Sequence, residues 1–416
     1  MMDCEILIIG AGPAGMAAAL AAAPSGVSIV MIDDNPVPGG QIWRDGPNAQ
    51  IPMAARRMLE QLAACANVQI FSGTRVIAAP VPHTLLLEDA EHGWSIQWKK
   101  LILCTGAREL LLPFPGWTLP GVTGAGGLQA LIKSGLPVAG ERIVVAGSGP
   151  LLLAAAAAAR KAGAKVVRIA EQASLGAVVG FAVRLVASPS KALQALALLS
   201  PQYRTSSQVV AVQGRGRVES LQLQQGGRKV EIACDRVACG FGLVPNTELG
   251  QLLGCSATPT GLVVNAWQAT SQANIYAAGE CTGVGGSEQA LVQGRIAGLV
   301  AVADTAAAQN LWAERRRWEA FAQQLTCSFA LAPHLKKLPQ ADTLVCRCED
   351  VSYAAIQDCT SWTQAKLHTR CGMGACQGRV CGAALQFLHG WEQPVPRNPL
   401  VPARIGTLTA SYLKGK

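Results

Sequence analysis

Charge is scarce in this sequence of 416 residues: 15% are Asp, Glu, Lys or Arg, against 50% hydrophobic. That excludes an intrinsically disordered chain, which is apolar-poor and charge-rich. Aromatic residues are scarce too, at 5%, so much of the apolar count falls to Ala and Gly. A core of that kind is built by close backbone approach, as in α/β folds. The 44 glycines keep no three-residue period, which excludes collagen. Long apolar runs are missing. The mean hydropathy of +0.27 raises the question of a membrane span, but stretches such as 151–159 stop well short of the roughly 20 residues a spanning helix needs. No Lys or Arg precedes Arg44, so the apolar start lacks the charged region of a secretory signal, and the expected location is cytoplasmic.

The length suits two to four domains. Fourteen cysteines in a chain with no export signal point to metal binding rather than disulfides. The net charge of +9 is uneven: residues 311–416 hold 13 Lys/Arg against 7 Asp/Glu, a local excess of 6. No basic-aromatic groove or nucleic-acid motif accompanies it. A docking face for an acidic partner protein is the better reading, with no nucleic acid.

Residues 5–9 read as a buried parallel strand, followed by Gly10-Ala-Gly12-Pro13-Ala14-Gly15 and an Ala-rich helix to residue 23. This is the βαβ opening of a dinucleotide fold. Gly10 permits the tight turn, Gly12 lets backbone approach a pyrophosphate, and Gly15 lets helix and strand pack closely. The helix N-terminus adds amide donors and a favourable dipole. A second strand, 27–32, ends in Asp33 and Asp34, and a carboxylate there can bind both hydroxyls of an adenosine ribose. Asp33 has the better spacing, with Asp34 as the fallback.

Two segments select FAD. Gly39-Gly40-Gln41 follows the acid, where a flavin enzyme brings backbone to the ribityl chain and ring. Residues 270–281, with Tyr276-Ala-Ala-Gly279-Glu280, resemble the second FAD motif of the two-dinucleotide-domain flavoproteins, whose acid binds the ribityl hydroxyls. That acid is usually Asp, and Glu280 keeps its charge. Thr105 and Gly106 end the first FAD half, and 241–246 mark the return toward the second.

Between them, a strand at 142–146, Gly147-Ser-Gly149-Pro-Leu-Leu152, a helix to 160 and a strand at 165–169 resemble the NAD(P)H domain inserted in the same flavoproteins. Leu152 replaces the third glycine and should crowd the helix against the strand or the pyrophosphate. Ala170 holds the expected acid position, with Glu171 one residue late. NAD(H), ATP or no nucleotide all remain open for this domain. No Cys-x-x-Cys or Cys-x4-Cys lies beside either glycine loop, which argues against a disulfide reductase. Cys104 and Cys281 read as small buried residues.

Near the end, Cys346-Arg-Cys348 is followed after 22 residues by Cys371-Gly-Met-Gly-Ala-Cys376. Four thiolates suit a [2Fe–2S] cluster, and Gly372 and Gly374 free the backbone to wrap it. Zinc is the rival, although its ribbons favour Cys-x2-Cys pairs. The expected ligands are Cys346, Cys348, Cys371 and Cys376; Cys381 reads as a non-ligand able to substitute for Cys376, and Cys359 as core. The region resembles the bacterioferritin-associated-ferredoxin-like domain in the form fused to flavoprotein subunits.

In order, 10–15, 39–44, 105–109, 113–117, 278–283 and 369–381 resemble the FAD-containing α (A) subunits of multisubunit amino-acid dehydrogenases: the D-hydroxyproline, proline and opine dehydrogenases and hydrogen cyanide synthase. The resemblance implies an α/β fold of glutathione-reductase type with two Rossmann-like dinucleotide domains and a small C-terminal [2Fe–2S] domain. It also implies a partner β subunit, itself a flavoprotein, that oxidises the amine, and often a small γ iron–sulfur subunit; membrane contact, if any, is peripheral and through the complex. The expected division is 1–119 and 240–308 for FAD, 120–239 for the inserted domain, 309–340 for a helical linker and 341–416 for the cluster domain with an irregular Pro-rich arm. The low-charge segment 174–200 reads as helix suited to a partner contact. His83, His92, His334, His368 and His389 are scattered and no catalytic base stands near the flavin motifs. The chain thus reads as an electron-transfer subunit. A self-sufficient NAD(P)H-dependent flavin/iron–sulfur reductase and a non-redox scaffold are the alternatives.

Overall fold

The computed structural model describes residues 2–47, 51–185 and 189–413. Strands β1 (Met2–Ile9), β2 (Ile29–Ile32), β3 (Val68–Phe71), β4 (Arg75–Val81), β5 (Thr84–Glu88) and β6 (Gly93–Leu103) form one sheet in the order β3-β2-β1-β6-β5-β4, with strand Ile275–Ala277 joining at β6. Every pairing among β1, β2, β3, β6 and Ile275–Ala277 is parallel, whereas β5 and β4 continue the sheet antiparallel. β2 reads Ile-Val-Met-Ile and is buried at all four positions, as a strand covered on both faces must be. Helix α1 (Pro13–Ala22) packs on helix Gly286–Ala301. A Cβ on Gly294 or Gly298 would lie 2.1 or 2.2 Å from the carbonyl oxygens of Ala14 and Ala18. The Ala and Gly excess is therefore the means by which two helices touch backbone to backbone.

A second sheet is fully parallel: Tyr203–Arg204, Lys165–Glu171, Arg142–Gly147, Arg236–Gly240 and Val122–Gly124. The antiparallel meander Ser207–Gln213, Ser220–Gln225 and Arg228–Ala233 packs beside it. Strands Ala107–Glu109 and Leu243–Pro245, which lead out of and back to the first sheet, pair with each other. Two helices, Leu175–Arg184 and Pro189–Ala197, occupy the low-charge segment; residues 186–188 of it lie outside the described residues. Leu175, Val179, Val183, Leu193, Leu196 and Leu199 are exposed there.

Helix Trp312–Ser328 leads to a small unit of a two-stranded ribbon, Leu344–Cys346 with Val351–Ser352, and helices Trp362–Thr369 and Cys381–His389. Trp362, Leu385, Leu388 and Trp391 fill its core. The arm beyond it is more ordered than expected. Leu400 N–H donates to Ile77 O (2.7 Å), Asn398 exchanges both hydrogen bonds with the Ala79 backbone, and the arm ends in helix Ile405–Leu413. Prolines rule out a regular strand here, but side-chain and isolated amide bonds replace the ladder.

Glu88 fastens this arm. Its side chain is 1% exposed and meets Arg75 (3.0 Å) and Arg404 (3.4 Å), and it accepts the Arg404 amide at 2.9 Å. Burial alone would raise its carboxyl, but hydrogen bonds from Thr407, Arg404 and Arg75 outweigh that and bring it down to about 2. A depressed carboxyl stabilises the fold above the unfolded-state value and loses that contribution as pH falls toward the folded one. Denaturant unfolding between pH 5 and pH 2 (about 2 kcal/mol across that window) should therefore show a steeper loss for the native chain than for Glu88→Gln, which should start lower and stay flatter.

Candidate functional site: a flavin cradle and a cysteine turn

The first glycine loop, the Gly39–Gly40 turn, the end of β6 and the turn after Ile275–Ala277 converge at the carboxyl ends of the parallel strands. Gly10 has φ +106°, and a Cβ there would sit 2.2 Å from Cys104 O. A Cβ on Gly40 would approach Gly12 Cα to 3.0 Å, and one on Gly279 would approach Ala14 Cβ to 2.8 Å. Thr105 and Gly106 follow β6 and are tied to the returning chain: Thr105 Oγ1 donates to Asn246 O (2.6 Å) and Asn246 N–H to Gly106 O (2.9 Å). Gly10, Gly12, Pro13, Ala14, Gly15, Gly40 and Gly279 thus lie in one set of close backbone approaches, with Thr105 and Gly106 continuing from the end of β6 and Glu280 following Gly279.

Asp33 ends β2 and is buried. Its Oδ2 accepts from Ala11 N–H (2.6 Å), and its Oδ1 accepts from the backbone and side chain of Asn35 (2.8 and 2.6 Å). Asp34 is exposed. Gln41 is also exposed, on helix Gly40–Trp43. Burial raises the Glu280 carboxyl, opposed by the Gly286 amide. Two polar residues that sequence reasoning passed over complete the cradle. Gln293, 2% exposed, accepts Gly279 N–H (2.9 Å) and the Thr282 hydroxyl (3.1 Å). Gln289, one turn earlier, is buried with its Oε1 unpartnered among the described residues. Two buried glutamines at i, i+4, on the helix face that also carries Ala290, Ile296 and Ala297, were the signal. The half-buried Glu280 carboxyl and the buried, unpartnered Gln289 amide oxygen, set among Gly279, Gly285 and Gly286, have the chemistry to meet a hydroxyl-rich dinucleotide such as FAD. Cys104 and Cys281 are buried, and burial raises both thiols, which makes them poor nucleophiles.

The second loop departs from its sequence expectation in three ways. The Lys165–Glu171 strand carries a register shift between Val166 and Arg168, which sets Glu171 opposite Gly147. One extra residue in a bulge moves every later side chain along by one. Glu171 therefore takes the strand-end place that Asp33 takes in the first sheet, and Ala170 is buried in the core. Glu171 accepts Gly149 N–H (2.8 Å), Ala173 N–H (2.8 Å) and the Tyr203 hydroxyl (3.3 Å). Leu152 does not crowd the helix. It is fully buried, its Cδ2 facing Gly240, whose missing side chain leaves room. Finally, the chain crosses its own loop. Ser148 Oγ donates to Phe329 O (2.9 Å), and Gln172 bridges Ala330 O (2.7 Å) and Ala332 N–H (3.0 Å). A Cβ on Gly149 would meet Phe329 Cβ and Cγ at 3.8 Å, on the side where the second glycine of such a loop leaves space for a pyrophosphate.

Five thiols gather at the cysteine turn. The sulfurs of Cys346, Cys371 and Cys381 lie within 4.8 Å of one another, all three residues buried. Cys381 opens helix Cys381–His389, so its side chain leans back over the turn. Hydrogen bonds from the Cys371 and Cys381 thiols, helped by Gly372 N–H at 3.4 Å, pull Cys346 down to about 2 despite burial. Cys348, exposed, and Cys376, half-buried, meet each other, and a Cβ on Gly374 would stand 2.3 Å from Cys348 Cβ. The structure thus brings Cys346 and Cys371 together with Cys381 as the third, and joins Cys348 to Cys376. Cys359 is half-buried against the same core. Clustered thiols of this chemistry fit an iron–sulfur or zinc centre.

Residues 4–309 match the family described as Pyridine nucleotide-disulphide oxidoreductase. Among curated proteins, the chain is 33% identical to hydrogen cyanide synthase subunit HcnB of Pseudomonas aeruginosa, over 91% of each chain. It is 32% identical to an opine oxidase subunit of Rhizobium meliloti, over 97% of each. Among solved structures, L-proline dehydrogenase from P. horikoshii superposes with a TM-score of 0.72 at 19% identity, covering 98% of this chain and 79% of that one. T. acidophilum thioredoxin reductase gives 0.56 at 22% identity, over 74% of this chain and 100% of that one. At these identities the structures share the fold.

Burial favours the protonated form of Glu280 before a ligand binds, whereas hydroxyl donors would favour the carboxylate. FAD affinity should therefore strengthen as pH rises through the usual carboxylate range and above it. Isothermal titration of the flavin-stripped chain should show this slope, and Glu280→Gln should flatten it and weaken binding about tenfold, the worth of one hydrogen bond to a charged group.

Proposed function

The chain belongs to the pyridine nucleotide-disulphide oxidoreductase family, among the relatives of HcnB and the opine oxidase subunit, and from that premise we propose that it is the FAD- and [2Fe–2S]-carrying electron-transfer subunit of a heteromeric amino-acid dehydrogenase. In this reading residues 1–119 and 240–308 hold FAD, 120–239 are the inserted nucleotide-type domain, 309–340 the linker, and 341–416 the cluster domain and arm. The glycine loop with Asp33 holds the adenine end; Gly40, Gln41 and Glu280 hold the flavin end. The cluster takes four of the five thiols Cys346, Cys348, Cys371, Cys376 and Cys381. FAD exchanges electrons in pairs and an iron–sulfur centre singly, which turns hydride-type chemistry into single-electron flow. The partner subunit oxidises the substrate at its C–N bond, of the D-hydroxyproline, proline or opine type.

The observation that carries this reading is Phe329 against Gly149. A self-sufficient reductase needs the second loop for NAD(P)H, and the chain's own linker lies where the pyrophosphate would approach. The relatives are named as subunits, and the exposed apolar side chains of Leu175–Arg184 and Pro189–Ala197 suit a partner contact.

The purified chain should carry FAD together with iron and acid-labile sulfide in equal amounts. Anaerobic NADH should leave flavin absorbance and the cluster's electron-spin signal unchanged, and an amino-acid substrate should reduce both once the partner subunit is added. Prompt reduction by NADH alone would establish the self-sufficient reductase instead. Zinc in place of iron would remove the cluster, and a colourless chain would leave the scaffold.

A further inference from the structure

Arg108 joins the flavin-side loop to the cysteine turn, and nothing in its sequence surroundings marks it for that role. Its strand, Ala107–Glu109, is held firmly. It pairs with Leu243–Pro245, and Glu109 accepts Gly126 N–H and Gly127 N–H, both at 2.7 Å, at the start of helix Ala125–Lys133. From this base the guanidinium reaches three ways. Nε donates to Arg379 O (3.0 Å), and Nη1 meets Asn246 Oδ1 (2.8 Å) and Glu248 Oε1 (2.8 Å). Asn246 Nδ2 in turn donates to Thr105 O (2.9 Å). Arg379 sits between Cys376 and Cys381, and its own N–H donates to Cys376 O (3.0 Å). The result is an unbroken hydrogen-bonded path from Thr105, through Asn246 and Arg108, to the backbone that carries two of the five thiols.

We infer that Arg108 is a positioning residue that locks the Cys371–Cys381 turn at a fixed separation from the Thr105–Gly106 loop, and so fixes the electronic coupling between the two redox centres. The inference rests on the proposed flavin/cluster relay for its purpose, but the lock itself concerns only this chain's residues. Its side chain is 20% exposed, so the network is partly shielded from water, where each charged hydrogen bond counts for more. Lysine cannot replace it, because an ammonium has no planar fork able to serve Arg379 O and Asn246 Oδ1 from different nitrogens.

The test uses the full chain with its bound centres, as Arg108→Leu and Arg108→Lys. Hydrogen exchange is measured first, since it needs no cofactor chemistry. Amides of 371–381 should exchange about tenfold faster in both variants, the effect of losing a charged hydrogen bond, while those of 5–16 keep their native rates. Photoreduction of the flavin should then show electron arrival at the cluster slowed about tenfold or more, with FAD and iron contents unchanged and the flavin–cluster magnetic interaction altered. Should Arg108→Leu not fold, Asn246→Ser cuts the same path on its flavin side and should slow electron arrival alone. Native exchange at 371–381 in a folded Arg108 variant overturns the lock. Faster exchange with native electron arrival overturns its role in coupling. A chain without iron instead sinks the relay reading, and the exchange result still decides the lock.

Discussion

Asp33 accepts the amide of Ala11, the residue between the first two glycines, and a few residues later it also fixes Asn35. That one carboxylate ties the end of β2 to the turn after β1, and the close backbone approaches around the glycine loop are set relative to this turn. Gly10 rests on Cys104 at the end of β6, Gly40 on Gly12, Gly279 on Ala14. The second sheet repeats the device with Glu171 and Gly149. In both, a buried acid is tolerated because its oxygens accept backbone donors that would otherwise be unsatisfied. The same closure serves two ends: in the first sheet it sets a glycine loop against neighbouring backbone, in the second a loop crossed by the chain's own linker.

What the sequence made legible was whatever depends on neighbours along the chain. The strand–glycine–helix unit at 5–23, the small-residue helices and a helix within 309–340 follow from local periodicity and turn chemistry, and the structure has them. Distances counted in residues were less reliable than distances in space. The acid of the second sheet looked misplaced by one because the bulge near Val167 absorbs a residue, and no pattern of apolar residues announces a bulge. Leu152 looked too large because its accommodating partner, Gly240, lies on another strand. Phe329 over Gly149 is a contact between segments far apart in sequence, and nothing local to either predicts it.

The cysteine turn shows the same boundary from another side. Spacing indicated that these thiols would meet, which follows from a glycine-rich turn and a ribbon with cysteines one residue apart. It put Cys376 ahead of Cys381, whereas the structure sets Cys381 beside Cys346 and Cys371, because the outcome depends on where helix Cys381–His389 begins and on how its first side chain leans. Gln293 and Gln289 were legible in principle, as amide side chains spaced one turn apart in a helix rich in Ala, Val, Leu and Gly.

The Pro-rich arm has a consequence for how the chain keeps to itself. β4 is the last strand of the first sheet, and its outward row of backbone groups, at Ile77 and Ala79, is the kind of open edge on which another copy could template itself. Leu400 and Asn398 occupy that row, while Pro396, Pro399 and Pro402 keep the arm itself from offering a fresh ladder to the next molecule. The sheet is thereby closed by a strip of backbone that can bind it once but cannot propagate it, so that the same residues that hold the arm down also guard the protein against edge-to-edge association.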